Sequence, residues 1–451
     1  MATQANVAGR GADGTPDSES DAKSSTVLIV GAGVVGCVTA IKLAQAKIDC
    51  TIIEKLNETS IAPRACGYFG AAQIFLNEIG MYKHIREKGF MTRGISWRGL
   101  PKDDGTGTFK QYGDLVAAQW LCDPNDYELP VGTGMLGLPQ GSLNRLLVEK
   151  ALETGYVRVN YGMKLSSVME NSKSTGVTAL VEDVNTQSEI KYHARYCVGA
   201  DGAHSALRRS LNIPFGGHTW PERILTTNVM IPNVVDPVYH SFFYMVDKFW
   251  GLASPLEEAI LGKTTLWRYN FAVPADDTRS DEELLSDETI LDLYETRMPG
   301  PRPLQVKIEA RVLYKIHQRL VPTMRKGHCL LAGDAAHVCN PMGALGLNTG
   351  ILDADALAEA LIMVLKEDCS DKVLDLYSDE RRQVFAFFVD PMSTQNKLRI
   401  QSNPPEVAPE QDSYFRLLNS NPTEEQMKKL MKPYFETWRT AIRKVAKAAG
   451  L

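Results

Sequence analysis

Three glycine-centred clusters, set far apart, contain the residue types that hold a phosphorylated ligand. Gly31, Gly33 and Gly36 follow the apolar run Val27 to Val30; Asp201 and Gly202 precede Ser205 and Arg208; Gly333 and Asp334 precede His337. In the first cluster the spacing allows a tight turn and close approach of backbone to a pyrophosphate, and the following helix points its free N–H groups at the phosphates. Glu54 ends the next strand-like run, Cys50 to Ile53. It lies about 20 residues beyond the glycines, where a carboxylate binds both hydroxyls of an adenosine ribose. An acid there argues against a phosphorylated ribose, so NADPH is not expected as the ligand of this turn. Taken in order, the clusters describe a pocket for a dinucleotide whose reactive ring lies far from its adenine.

Positioning these residues requires a particular set of elements. The runs ahead of the glycines read as buried parallel strands, and the segments after them as helices. From Gly216 to about Arg319 the pattern changes to alternating, aromatic-rich strands such as 238–245 and 264–273, which suit an antiparallel sheet with one face covered. The expected fold class is therefore α/β. A Rossmann-like domain (26–105, 130–215 and 320–400) interleaves with a mixed, largely antiparallel substrate domain (106–129 and 216–319), and C-terminal helices follow over 401–451. A junction of this kind is the usual place for a small-molecule cavity. Near the end, Met427, Leu430, Met431, Phe435, Trp438, Ile442 and Val445 recur at helical spacing with lysines opposite. They predict two short helices split at Pro433 and packed on the core.

The 451 residues are 44% hydrophobic and 23% charged, with a net charge of −5. That balance is ordinary for a globular chain and offers nucleic acid no basic field. Eight cysteines show neither C-x-x-C nor zinc-ligand spacing, so they read as reduced thiols in a cytoplasmic compartment, with no metal site. Residues 1–25, small and polar, are expected to form a disordered tail. The apolar stretches 27–44 and 351–365 are interrupted by glycines or acids, so no integral membrane segment is expected. The expected assembly is a monomer or a homodimer.

The combination resembles the single-component FAD-dependent aromatic hydroxylases, typified by para-hydroxybenzoate and phenol hydroxylases, from roughly Thr26 to Asn396. The likeness also rests on Arg64 between Pro63 and Ala65, on Gln140 after Leu138 and Pro139, and on Glu380, Arg381 and Arg382. The run Pro341, Gly343, Gly346, Leu347, Asn348 and Gly350 completes it. The resemblance implies a glutathione-reductase-type FAD domain, with Asp201 at flavin and nicotinamide and Asp334 on the ribityl or pyrophosphate region. Arg64 and Gln140 then fall to flavin contacts. Chemistry supports the last run independently: a reduced flavin is negative at its pyrimidine edge, and a helix opening at Gly346 to Asn348 aims N–H groups and a positive dipole end at it. His337, in such a turn, reads as structural.

By the same resemblance, NADPH or NADH reduces FAD, and dioxygen adds to give a flavin hydroperoxide. A phenol or other electron-rich ring then takes the distal hydroxyl while water is excluded. Arg268 and Tyr269 resemble an arginine and a tyrosine that some members place beside flavin and substrate, where a cation favours a phenolate. Tyr244 and Arg223 are further candidates from the same sheet region. Cys66 stands where some phenol hydroxylases carry a substrate-activating aspartate, and Ala344 and Leu345 replace the family's glycine and glutamine. Flavin epoxidases, halogenases and oxidases share the fold, and a flavin redox sensor is the reading from another class. NADPH consumption stimulated by phenols separates the sensor from the enzymes.

Overall fold

The computed structural model describes residues 22–60, 67–121, 129–171, 175–235, 241–245, 250–402 and 404–451. Its first layer is a parallel sheet in the order Val157–Tyr161, Cys50–Glu54, Lys23–Val30, Glu189–Gly199. The end of Glu189–Gly199 pairs in parallel with Cys329–Leu331, while its earlier part pairs antiparallel with Val177–Asp183, which continues to Met163–Glu170. Helices Val34–Gln45, Gln140–Glu153 and Leu345–Lys366 pack together against this layer. Strands covered in this way read as continuous apolar runs, which is why Val27 to Val30 carries no alternation. Because Lys23–Val30, Glu189–Gly199 and Cys329–Leu331 run side by side in one direction, the three glycine clusters leave the sheet together at the carboxyl ends of these strands. Ligands of open α/β sheets bind outside those ends.

The second layer is an eight-stranded sheet. Its order is His337–Val338, Lys307–Leu320, Gly216–Pro232, Thr264–Val273, Gly251–Pro255, Ser241–Tyr244, Gly94–Arg98, Leu115–Trp120. Every neighbouring pair is antiparallel except Ser241–Tyr244 with Gly94–Arg98. The sheet is thus mixed and largely antiparallel, as expected. Leu225, Val229, Trp267, Tyr269 and Phe271 occupy one core with Leu284, Ile290 and Tyr294, the last two from the helix Asp287–Arg297.

Some boundaries differ from the sequence reading. Gly94–Arg98 belongs to the second sheet, although the boundary at 105 assigned it to the nucleotide domain; its partner Ser241–Tyr244 lies far away in sequence. The first strand starts at Lys23, inside the expected 1–25 tail; residues 1–21 of that tail lie outside the described residues. Three C-terminal helices replace two: Glu424–Met431, Pro433–Glu436 and Ile442–Ala448. Pro433 opens the middle one, where its missing N–H costs nothing. Among the described residues no helix is long and apolar enough to cross a membrane.

Candidate active site

The first glycine turn separates packing from binding. Gly31 has φ of +105°, and a Cβ there would lie 2.5 Å from the Ala200 carbonyl oxygen. A Cβ on Gly36 would run into the Gly31 carbonyl oxygen, so that glycine lets the helix sit against the turn and does not face the ligand. Gly33 is ordinary extended backbone (φ −78°, ψ 177°), and the space where its Cβ would stand is open. It precedes the helix Val34–Gln45, whose first N–H groups no side chain caps. An uncapped helix end above an open cradle fits a diphosphate. Glu54 fixes the turn by accepting from the N–H groups of Ala32 and Leu56, each at 3.0 Å.

The two acidic loops approach from neighbouring strands. Asp201 Oδ2 accepts from Ala206 N (2.6 Å) and Leu207 N (3.3 Å), which caps the short helix Ala206–Ser210. Its Oδ1 is buried with no hydrogen-bond partner among the described residues, as is Asn144 Oδ1, one helical turn beyond Gln140. Buried acceptors in this position call for a donor, which a flavin nucleotide brings. Asp334 is exposed on the cavity wall. Its turn is pinned from behind by Asp353, which accepts from Gly333 N (3.0 Å), bonds His337 Nε2 (2.6 Å) and accepts from Arg381 Nε (2.7 Å). Burial alone would raise the Asp353 carboxyl; His337 and Arg381 outweigh it and hold the group at about 2. His337 is therefore structural, as its sequence context suggested.

The last run places a helix end at the same cavity. Gly343 (φ +111°) and Ala344 (φ +55°) turn the chain, and Leu345–Lys366 begins without a side-chain cap, so Gly346 and Leu347 present backbone to the cavity. Pro341 and Gln140 also line it. The cavity measures about 2130 Å³ and runs from Glu54 past Gly33, Asp201, Asp334 and Gly343 to the second sheet. Ordinary small-molecule sites hold about 300–1,000 Å³, so this one accommodates a dinucleotide together with a second ligand. At the sheet end Thr226, Asn228, Arg268, Asn270 and Tyr314 form a polar wall, and Trp97 and Phe243 an apolar one. Arg268 is buried and donates from Nε to Asn228 Oδ1 at 3.0 Å. Thr226 Oγ1 donates to Asn270 Oδ1 at 2.5 Å.

Several expected site residues stand elsewhere. Tyr269 faces the opposite side of the sheet, against Tyr294 with ring centroids 5.3 Å apart. Successive strand residues alternate, so Arg268 and Tyr269 cannot share the chamber. Tyr244 lies in the same core as Tyr269 and donates to the Asn270 carbonyl oxygen at 2.6 Å. Arg223 pairs with Asp281 at 2.6 Å and clamps the carbonyls of Asp277 and Arg279, away from the cavity. Arg208 donates to the carbonyls of Ala203 (2.7 Å) and Ala335 (2.8 Å), stapling the two acidic loops together from behind. Asn348 donates to Gly67 O (2.9 Å) and Ala344 O (2.8 Å), and Gly333 packs on Val35; both shape loops without lining the cavity. Gly202 does line it, and Arg64 lies outside the described residues. Thr226, Asn228, Asn270 and Tyr314 were not anticipated. The period of two carried the signal for Asn270, which must share a face with Arg268.

An uncapped Rossmann helix, an acid at the second strand and a second uncapped helix across a two-domain cavity define a flavin-nucleotide oxidoreductase. The family described as "FAD binding domain" matches residues 24–391, and the chain belongs to it. Para-nitrophenol 4-monooxygenase from Pseudomonas sp. (strain WBC-3) is 31% identical over 392 residues, 86% of this chain and 91% of that protein. A 6-hydroxy-3-succinoylpyridine 3-monooxygenase from Pseudomonas putida is 29% identical, covering 82% of this chain and 87% of its own. The crystal structure of p-nitrophenol 4-monooxygenase from Pseudomonas putida DLL-E4 superposes with a TM-score of 0.79 at 28% identity, over 93% of this chain and 99% of that one. The protein is an FAD-dependent monooxygenase of the aromatic-hydroxylase type, with a reduced nicotinamide as co-substrate.

Proposed function

We propose that the protein hydroxylates a small phenol, or a closely related electron-rich ring, at the sheet end of the cavity with NAD(P)H and dioxygen. The observation that carries this reading is Arg268: a buried cation on the chamber face, oriented by Asn228 and set beside Thr226, Asn270 and Tyr314. A cation within about 4–6 Å lowers a phenol's pKa by about 1–3 units, so it favours the electron-rich phenolate. The names of two relatives, both acting on para-nitrophenol, support a single-ring acceptor.

FAD supplies the electron transfer to dioxygen that no side chain can perform. The residues that would hold it are Gly31, Gly33 and the start of Val34–Gln45 for the diphosphate, and Glu54 for the adenosine ribose. Asp334 would take the ribityl chain, and the N–H groups at Gly346 and Leu347 the pyrimidine edge of the ring. Asp201 and Gln140 complete that set. Trp97 and Phe243 keep water from the acceptor, which matters because water diverts such a reaction to hydrogen peroxide.

Monomer or homodimer, and a cytoplasmic location, belong to the same proposal; the six described cysteines are free thiols, which supports a reducing compartment. The test is anaerobic titration of the FAD-loaded protein with NADPH or NADH against a panel of phenols that includes para-nitrophenol. One or more phenols should accelerate the loss of yellow absorbance at least about 10-fold. If no phenol changes the rate, the hydroxylase reading fails.

A further inference from the structure

The apolar stripe of the C-terminal helices is turned toward the chamber. Met427, Leu430, Met431 and Tyr434 follow helical spacing and are half-buried, Phe435 beside them is 36% exposed, and all five line the cavity. Neither Glu424–Met431 nor Pro433–Glu436 contains a fully buried residue. The outward face carries Glu425, Lys429 and Lys432, all exposed.

Both ends of this segment are tied down. Before it, Tyr414 donates from its hydroxyl to Gln119 Oε1 (2.7 Å) and Asn419 Nδ2 to the Val116 carbonyl (2.9 Å). After it, the fully buried Trp438 donates from Nε1 to Thr349 Oγ1 (2.9 Å), Arg381 donates to the Trp438 carbonyl (2.7 Å), and Arg439 pairs with Asp355 (2.7 Å). Between the anchors it rests on the chamber rim: Gln119 Nε2 lies 3.6 Å from Met431 Sδ, and a Cβ on Gly132 would come within 3.0 Å of the Phe435 ring. The segment also lies beyond residue 391, where the family match ends.

We infer that residues 424–435 are the wall that sets which aromatic acceptor the chamber takes, with Met427, Leu430, Met431 and Phe435 as the specificity-determining side chains. This rests on the hydroxylase reading for its substrate class. Two thioethers, an isobutyl group and a phenyl ring form an apolar surface that adapts to a flat ring and selects by size. Being anchored at Trp438 and Asn419, the wall changes its side chains without disturbing the cofactor half of the cavity.

The experiment compares wild type with Leu430→Ala, Met431→Ala and Phe435→Ala, and with Lys429→Ala as an outward-face control, all as FAD-loaded full chains. Two readouts are taken for phenol and for 1-naphthol: the dissociation constant from perturbation of flavin absorbance, and kcat/KM. The alanine variants should shift the 1-naphthol to phenol ratio in favour of the larger ring by about 10-fold or more, as added pocket space of this size does. Flavin content and the Lys429→Ala ratio should stay at wild-type values. A ratio within twofold of wild type in all three variants overturns the wall, as does loss of flavin in parallel with acceptor binding. Binding that shifts as described in a wild type that no phenol stimulates leaves the wall standing and overturns the hydroxylase reading alone. A wild type that binds neither ring overturns both.

Discussion

Removing the charge of Asp353 tests whether the Asp334 turn is held electrostatically from behind. Asp353, His337 and Arg381 are all buried, and Asp353 joins the other two to the N–H of Gly333. In Asp353→Asn the Arg381 guanidinium loses its counter-charge in the interior, which costs about 3–5 kcal/mol. The titration gives a second magnitude for the same contacts. The carboxyl falls from its ordinary 3.8 to about 2 on folding, and at about 1.4 kcal/mol per unit this contributes about 2.4 kcal/mol at neutral pH. Because the folded value is depressed, that contribution is complete above 3.8 and is lost as pH falls through 2. At pH 3 about 1.3 kcal/mol of it survives. Urea unfolding of wild type and variant, with FAD in constant excess, should therefore show a gap of about 3–5 kcal/mol at pH 7. That gap should be narrower by about 1 kcal/mol at pH 3 than at pH 5. Other carboxylates titrate equally in both chains and cancel in the difference. A gap below about 1 kcal/mol at pH 7, or one that does not narrow toward pH 3, refutes the assignment.

The remaining expectations are simpler to read. Gly33→Ala should fold with near-normal stability and purify without yellow colour, because its Cβ enters only the open cradle, whereas Gly31→Ala should lose at least about 3 kcal/mol or fail to fold, its φ being positive and the Ala200 carbonyl in the way. Arg268→Met should move the substrate ionisation seen in the pH profile of kcat/KM upward by about 1 unit or more. Tyr244→Phe should leave that profile in place and cost about 1 kcal/mol, the worth of its hydrogen bond to the Asn270 carbonyl. Ala344→Gly should raise stability by up to about 1 kcal/mol in thermal or urea unfolding, since alanine at φ +55° pays for a left-handed backbone that glycine adopts freely.

The first glycine turn and its acid were legible because their geometry is local. A strand covered on both sides is a continuous apolar run, a glycine turn must follow it, and Glu54 lies one strand away; each is visible within a few tens of residues. The acceptor half depends on register between strands distant in sequence. Asn228 faces Arg268, and Thr226 faces Asn270, only because Gly216–Pro232 and Thr264–Val273 pair in one particular alignment. Alternation alone would have separated Arg268 from Tyr269 and matched it with Asn270. Gly94–Arg98 went unassigned to its sheet for the same reason, its parallel partner being 241–244. For the C-terminal stripe the helical spacing was plain, but spacing names a face and not what that face meets.

The strand Glu189–Gly199 sits between Lys23–Val30 and Cys329–Leu331, so the loops ending in Asp201 and Asp334 are neighbours in space and strangers in order of synthesis. A ribosome delivers the first glycine turn early and the helix start at Gly346 late, after the whole second sheet has emerged. The growing polypeptide thus has no complete flavin cradle until most of its length is free of the exit tunnel. Cofactor capture is consequently a late event of biogenesis, since a chain that stops short of Gly346 lacks the helix end that faces the cavity.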